Sequence, residues 1–474
     1  MLGVAACGSW GDSALVTALP DPPPVRPTTP SPQVAQHPVR GAEHLKLVNA
    51  YGGVYENLRI QALLDDMVRR LAAVSGSSNR PLRVTILNSP SINAFALPSG
   101  EIYVTRGLLA LADDESELAA VIAHEIAHLT ADHAALRQRQ AQAAALARRV
   151  SEVVEDPDIK ADTAATAEVS PALFSQAQEL EADNMGVHTL AAAGFDPFAA
   201  ARFLESMNRY AALPALNAAS QTRPGFLSTH PSTPQRIERA KQVARQYAAP
   251  GVGRTARSPY LRALDGILYG DDPREGYVRG REFAHVELGI AFTVPQGYVL
   301  KNTSSAVLAT DGEHTAIRFD TVSVPSNMQL ADYLRSGWVK GLIDDSIRIE
   351  AVNGLETAIA SALVEGWSFR IAVVRGPERA YRFIFASSRP AATFEDAFRR
   401  TVGSFRILTP SQRAGMRPLR LRVVPVRDGE TTSSLAQRMR GVDDNLRIAL
   451  FETLNGLVPG DNLAPGDLAK LVTE

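Results

Sequence analysis

The stretch AHEIAHLTAD, residues 123–132, constrains this chain more than any other. His124 and His128 are four apart, so on a helix they lie about 40° from one another around the axis and share a face. Two imidazoles so placed suit a single Zn2+ ion, and Glu125 stands beside them where an attacking water would sit. A metal lowers the pKa of such a water and the carboxylate takes its proton. The pattern requires a helix, and the flanks supply one. Asp114, Glu115 and Glu117 crowd its first turns, and LAAVIAHEIAHL contains neither Gly nor Pro. The plainer alternative is a buried helix with two incidental histidines.

A second Ala-rich helical stretch, SQAQELEADNMGVHTLAAAGFDP, supplies acids. Glu179 and Asp183 are four apart and face the same way, whereas Glu181 points roughly 200° from Glu179. A carboxylate from this helix would complete a His2Glu site and leave a fourth position open for water, as catalysis requires. A solvated acidic face is the alternative. Here the acids sit amid small apolar residues, as they do where two helices pack.

HEIAH followed by E-L-E-A-D, in a helix that ends in GFDP, resembles the HtpX/BepA/Oma-type family of gluzincin zinc metallopeptidases. The resemblance implies His124, His128 and Glu179 as ligands of one Zn2+ per chain, and Glu125 as general base. It implies Asp183 as the acid that steadies a ligand histidine, a role with its own physical reason. NAFALPSGEIYVTRGLL, 93–109, is similar to the family's segment leading into the metal helix, and STHPSTPQRIERA, 228–240, to its S/T-H-P-x-x-x-x-R-I element. The likeness covers residues 41 to about 250, with all four elements in family order.

His230 belongs to the last of these elements. Pro231 disfavours the helical region at His230, which places it in a loop before a helix opened by Ser232 or Thr233. Near zinc it would stabilise the oxyanion, or bind the metal as a fourth ligand and hold the enzyme latent. A helix-capping loop with an exposed histidine is the plain alternative. For substrate, an edge strand beside the metal helix would hold the peptide backbone by strand addition. Glu101, Ile102, Tyr103, Val104 and Thr105 are the candidates, against inward-facing hairpin residues. Residues 137–170, Ala-, Gln- and charge-rich and broken by Pro157, suggest a flap over the cleft or a solvated helical excursion.

A chain of 474 residues exceeds a single core and divides into about two to four domains. Its 49 basic and 51 acidic residues nearly balance, so nothing suggests a nucleic-acid surface. Cys7 is the only cysteine, so there is no disulfide framework. No apolar run reaches the roughly 18 residues that span a bilayer, which within the resemblance points to the soluble, cell-envelope branch. Val4-Ala5-Ala6-Cys7-Gly8 resembles the end of a bacterial lipoprotein signal; either Cys7 is the lipidated residue and the true start lies upstream of Met1, or the likeness is accidental. The Pro-rich run from Pro20 to Pro38 would then be its tether.

The expected organisation is a leader and tether over 1–40, a metallopeptidase domain over 41–250, a linker over 251–280, an α+β accessory domain over 281–410 and a small module over 418–474. The accessory stretch alternates strand patterns with helix candidates near Leu330–Lys340 and Thr393–Val402, suggesting an antiparallel sheet with helices on one face. The last stretch reads strand, helix, helix, strand and resembles the LysM module at Asn455-Gly456-Leu457 and Pro465-Gly466-Asp467. It departs from that module at Thr432, a position usually apolar, so the alternatives are peptidoglycan binding and a degenerate structural copy.

The fold class expected is therefore α+β and multidomain: a mainly helical gluzincin domain with a short sheet, an antiparallel-sheet domain and a βααβ module. The resemblance implies a zinc-dependent endopeptidase of the bacterial cell envelope acting in protein quality control on misfolded polypeptides. Peptidoglycan would be a further partner and a lipid at Cys7 the membrane anchor. The alternative from a different class is a latent or silent peptidase that serves as a peptidoglycan-associated adaptor or chaperone.

Overall fold

The computed structural model describes residues 41–77, 80–136, 174–213, 226–303, 306–312 and 314–474. The expected leader with Cys7 and the expected flap lie outside the described residues. The protein is α+β, with helices and several sheets. Among the described residues, no helix is long and apolar enough to cross a membrane. The chain divides into two compact units, one of 48–272 with 417–474, the other of 273–416 with residues up to Leu47.

After a first helix α1 (Ala42–Ala50), the larger unit runs α2 (Leu58–Val74), β1 (Arg83–Leu87), β2 (Ala94–Ala96), β3 (Glu101–Thr105), α3 (Arg106–Leu111) and α4 (Glu115–Thr130). It continues with α5 (Gln176–Ala192), α6 (Ala199–Ala211), α7 (Phe226–Thr229), α8 (Pro234–Ala244) and α9 (Arg257–Leu264). Helix α4 is the centre of this unit. Asp114 caps it, its carboxylate accepting the Glu117 N–H at 2.8 Å, and Glu115 and Glu117 complement the positive helix end. Every residue from Glu115 to Leu129 is buried, as befits a helix with small and apolar residues on all sides.

The short sheet has the order β1-β3-β2. β3 pairs in parallel with β1, from Arg83↔Glu101 to Leu87↔Thr105, and antiparallel with β2, from Ala94↔Val104 to Ala96↔Ile102. Glu101–Thr105 is therefore not the exposed edge strand expected from sequence. It is hydrogen-bonded on both sides, and Ile102, Tyr103, Val104 and Thr105 are 0% exposed. The β2–β3 hairpin alone would leave one flank of β3 open, but β1 returns to fill it. The edge that packs against α4 is β2.

The second unit holds a seven-stranded antiparallel sheet, β10-β11-β12-β13-β9-β8-β7. Its strands are β7 (Val299–Asn302), β8 (Val307–Thr310), β9 (Thr315–Val322), β10 (Leu342–Val352), β11 (Leu355–Val364), β12 (Trp367–Arg375) and β13 (Ala380–Ser387). A four-stranded sheet, β14-β6-β5-β4, joins β4 (Tyr277–Arg279), β5 (Glu282–His285), β6 (Ile290–Thr293) and β14 (Arg406–Ile407). Helices α10 (Leu330–Arg335), α11 (Ala392–Ser404) and α12 (Pro410–Gly415) complete the unit.

Helices cover both faces of the large sheet, rather than the one face expected. Phe369, Ile371 and Val373 of β12 join a cluster with Leu330 and Leu334 of α10, while Ala372 and Val374 join another with Phe394 and Phe398 of α11. The consecutive apolar residues Ile371–Val374 of β12 point alternately to the two faces, so both must be buried.

The last residues return to the larger unit. β15 (Arg420–Pro425), α13 (Thr432–Ala436), α14 (Arg447–Leu454) and β16 (Leu468–Thr473) follow one another, and the two strands pair antiparallel. Leu421, Leu450, Phe451 and Leu471 share one hydrophobic core with Leu108 and Leu109 of α3 and Leu118 of α4. Tyr260, Leu261 and Leu264 of α9 join the same core, so this part of the expected linker is a packed helix.

Lys470 fastens the return. Its side chain is fully buried, and its Nζ donates to the carbonyls of Ala110, Leu111 and Ala112 at 3.2, 3.3 and 2.8 Å. These are orphan carbonyls at the end of α3. Lys470→Met keeps the apolar stem and removes the donor. It is expected to cost about 1–3 kcal/mol, the scale for buried carbonyls left unsatisfied. Urea unfolding of the full chain checks this, and an unchanged midpoint would contradict it.

Candidate metal centre

Helix α4 turns His124 and His128 to one side, and α5 crosses it closely. At the crossing stands Gly186, where a Cβ would lie 3.3 Å from the backbone nitrogen of His124. The small residue lets the helices approach, so that carboxylates one and two turns earlier on α5 reach the histidines. A capping box holds the start of α5, with Ser175 and Gln178 bonding each other's backbone N–H.

The side chains of His124, His128, Glu179 and His230 converge, each offering one ligand atom, with these atoms within 4.8 Å of one another. His124 Nε2 lies 3.0 Å from His128 Nε2 and 3.3 Å from His230 Nδ1. Glu179 Oε1 is 2.9 Å from His230 Nδ1 and 3.4 Å from His128 Nε2, and its Oε2 is 3.5 Å from His124 Nε2. All four residues are buried. Donors on a tetrahedral centre at 2.0–2.1 Å stand about 3.3 Å apart, so this set fits Zn2+ in spacing as well as in chemistry.

His230 arrives from α7 and the loop before α8, where its ring lies between two phenyl rings. Phe226 stacks on it at 4.6 Å between centroids and Phe174 at 5.2 Å. The exposed capping-loop alternative is thereby excluded, since His230 is only 2% exposed. Thr233 caps α8, accepting the Arg236 N–H, and that helix delivers Arg236 to the rear of the site.

Arg236 is the residue that sequence reading leaves without a role. Its guanidinium holds Asp183 with Nε to Oδ2 and Nη2 to Oδ1, both at 2.7 Å, and Nη1 reaches Glu179 Oε2 at 2.7 Å and the Pro231 carbonyl at 2.9 Å. Asp183 in turn lies 3.0 Å from His124 Nδ1. The available signal was an arginine on a helix whose Ile237, Ala240 and Val243 are apolar and buried, since such a cation needs an acid. His133 is the other omission. It is buried, with Nδ1 2.9 Å from His128 Nδ1.

The charges of the site are strongly coupled. Burial opposes charge on His124, yet the Asp183 and Glu179 carboxylates hold its imidazolium up at about 9. Burial, with the neighbouring His124 and His230, pushes His128 down to about 3. Glu179 stays far below the usual carboxylate range despite burial, because three histidines bond to it. Glu125 moves the other way, raised first by burial and further by the Glu179 charge. Its Oε1 is buried without a hydrogen bond, 3.6 Å from His230 Nε2, while the Ala96 N–H at the end of β2 bonds its carboxylate.

Residues 59–244 match the model of peptidase family M48. A β-barrel assembly-enhancing protease of Escherichia coli is 31% identical over 211 residues, covering 42% of this chain and 41% of that one. Its counterpart from Yersinia pestis is 32% identical over 206 residues, covering 41% and 40%. The mitochondrial metalloendopeptidase OMA1 of Schizosaccharomyces pombe is 34% identical over 184 residues, covering 37% and 50%. The chain spans half or less of the length of these relatives.

Proposed function

The chain carries a peptidase family M48 domain, and on that premise we propose that it is a zinc-dependent endopeptidase held in a latent state by His230. The convergence of His124, His128, Glu179 and His230 on one buried point, with Glu125 alongside, carries this reading. His124, His128 and Glu179 would hold the metal. Zinc there would supply a Lewis acid that polarises a peptide carbonyl and makes a water acidic enough to lose a proton near neutral pH.

Glu125 performs the proton transfers. Oε1, the carboxylate oxygen without a hydrogen bond, takes the proton of the attacking water and returns it to the leaving amine. Burial raises the basicity of this carboxylate, which suits that task. The outer edge of β2 pairs with no other described strand, so it takes over the substrate-holding role first considered for β3. An extended peptide added there would lie beside Glu125, since the Ala96 N–H bonds that carboxylate.

His230 Nδ1 sits at 2.9 and 3.3 Å from two other candidate ligand atoms, the spacing expected of a fourth ligand rather than of a group waiting for an oxyanion. His230→Ala should therefore raise hydrolysis of a casein-type substrate, with self-cleavage as a further sign. Were His230 an oxyanion donor, the same change would lower turnover roughly 100- to 1000-fold with zinc retained. A fall of that size would overturn the latency reading.

The relatives named for β-barrel assembly support a place in the bacterial envelope and a part in protein quality control, with misfolded polypeptides as substrates. Lipid attachment at Cys7 would anchor it there, and Cys7→Ser should then release the protein from membranes. Asn455, within the LysM-like stretch, is buried and bonds the Phe451 and Lys470 carbonyls, which favours a structural role over glycan contact. Co-sedimentation of the full chain with purified peptidoglycan would reverse that preference.

A further inference from the structure

Building on the reading that His128 binds zinc, we propose that His133, itself bonded by Glu181, positions the imidazole of that ligand. His128 turns Nε2 towards the candidate ligand atoms, 3.0 Å from His124 Nε2 and 3.4 Å from Glu179 Oε1. Its other nitrogen, Nδ1, faces away and lies 2.9 Å from His133 Nδ1. On the far side of the His133 ring, Nε2 lies 3.4 Å from Glu181 Oε2.

Only one placement of protons serves a metal in this chain of contacts. An imidazole that ligates through Nε2 carries its proton on Nδ1, so His128 donates and His133 Nδ1 must accept. An imidazole that accepts at Nδ1 carries its proton on Nε2, and the Nε2 of His133 faces the Glu181 carboxylate. Each contact thus fixes the next, and the free lone pair of His128 is the one aimed at the metal.

The backbone is bent to make the contact. Five residues along an uninterrupted helix would put His133 about 140° around the axis from His128 and out of reach. Helix α4 stops at Thr130, and Asp132 takes the left-handed conformation with φ 48°. Acidic and amide residues tolerate that region better than most, because their side chains bond locally. A helical segment resumes at His133, which is buried to 1% exposure.

The two ligand histidines are consequently steadied by different partners. His124 meets Asp183, a carboxylate clamped by a buried arginine. His128 meets the His133 ring, which ends on Glu181, whose side chain is 60% exposed. Glu181 thus points away from the metal ligands, as helical geometry requires, and still serves one of them.

Loss of an outer partner of this kind typically weakens metal binding 10–100-fold. The test is Zn2+ titration of the metal-free full chain against a chromophoric chelator. His133→Ala should weaken affinity about 10–100-fold relative to wild type. His133→Asn places an oxygen acceptor where Nδ1 was, and should restore affinity to within a few-fold. Wild-type affinity in His133→Ala would overturn the proposal. So would an Asn variant as weak as the Ala variant, since that pattern marks a packing role. A wild-type chain that takes up no zinc would instead overturn the metal reading, and the proposal with it.

Discussion

Glu125→Gln is expected to leave zinc bound and to lower peptide hydrolysis about 10²- to 10⁴-fold, the usual share of a general base. The amide is nearly the same size as the carboxylate, so helix packing around the buried side chain should survive. What it lacks is the capacity to take a proton at the position of Oε1. Zinc analysis and turnover measured on the same preparation separate the two effects. The cleanest background is the His230→Ala chain, where latency no longer masks turnover. Hydrolysis at the parent rate would show that another group moves the proton.

Arg236→Met should be the most destabilising single change at the site. The guanidinium is 2% exposed, bonds both Asp183 oxygens and the Pro231 carbonyl, and forms an ion pair with Glu179 Oε2 at 2.7 Å. Removing it leaves the buried Asp183 and Glu179 carboxylates with the histidines alone, and breaking such a buried pair costs about 3–5 kcal/mol. Denaturant unfolding of the metal-free protein should show the full loss. Added zinc should recover part of it, because the metal would compensate the Glu179 charge. A loss under about 1 kcal/mol would mean that water or rearrangement satisfies these acids and that Arg236 does not organise the site.

Much of the site was legible because helical periodicity is a local rule. HEIAH and the Glu179–Asp183 pair fix which side chains share a face, and a small residue such as Gly186 allows two such faces to meet. His230 could be placed in a loop from Pro231, but its burial between Phe174 and Phe226 depends on residues distant in sequence. Non-local pairing is also why the edge strand was misplaced. Alternation in Glu101–Thr105 identifies a strand but not its neighbours, and the parallel partner β1 enters from before the hairpin. His133 was hidden by one backbone angle, since the left-handed turn at Asp132 has no signature that a carboxylate alone would give. The return of residues 417–474 into the core of the larger unit was equally invisible, because Lys470 bonds carbonyls some 360 positions earlier.

The most direct test of the account is metal analysis of the purified full chain and two variants on α5. The account predicts one zinc per wild-type chain, sharply reduced occupancy in Glu179→Ala, and occupancy close to one in Glu181→Ala at saturating zinc. A wild-type chain without zinc, or a Glu179→Ala chain that retains a full equivalent, would contradict the claim that His124, His128 and Glu179 form a metal centre.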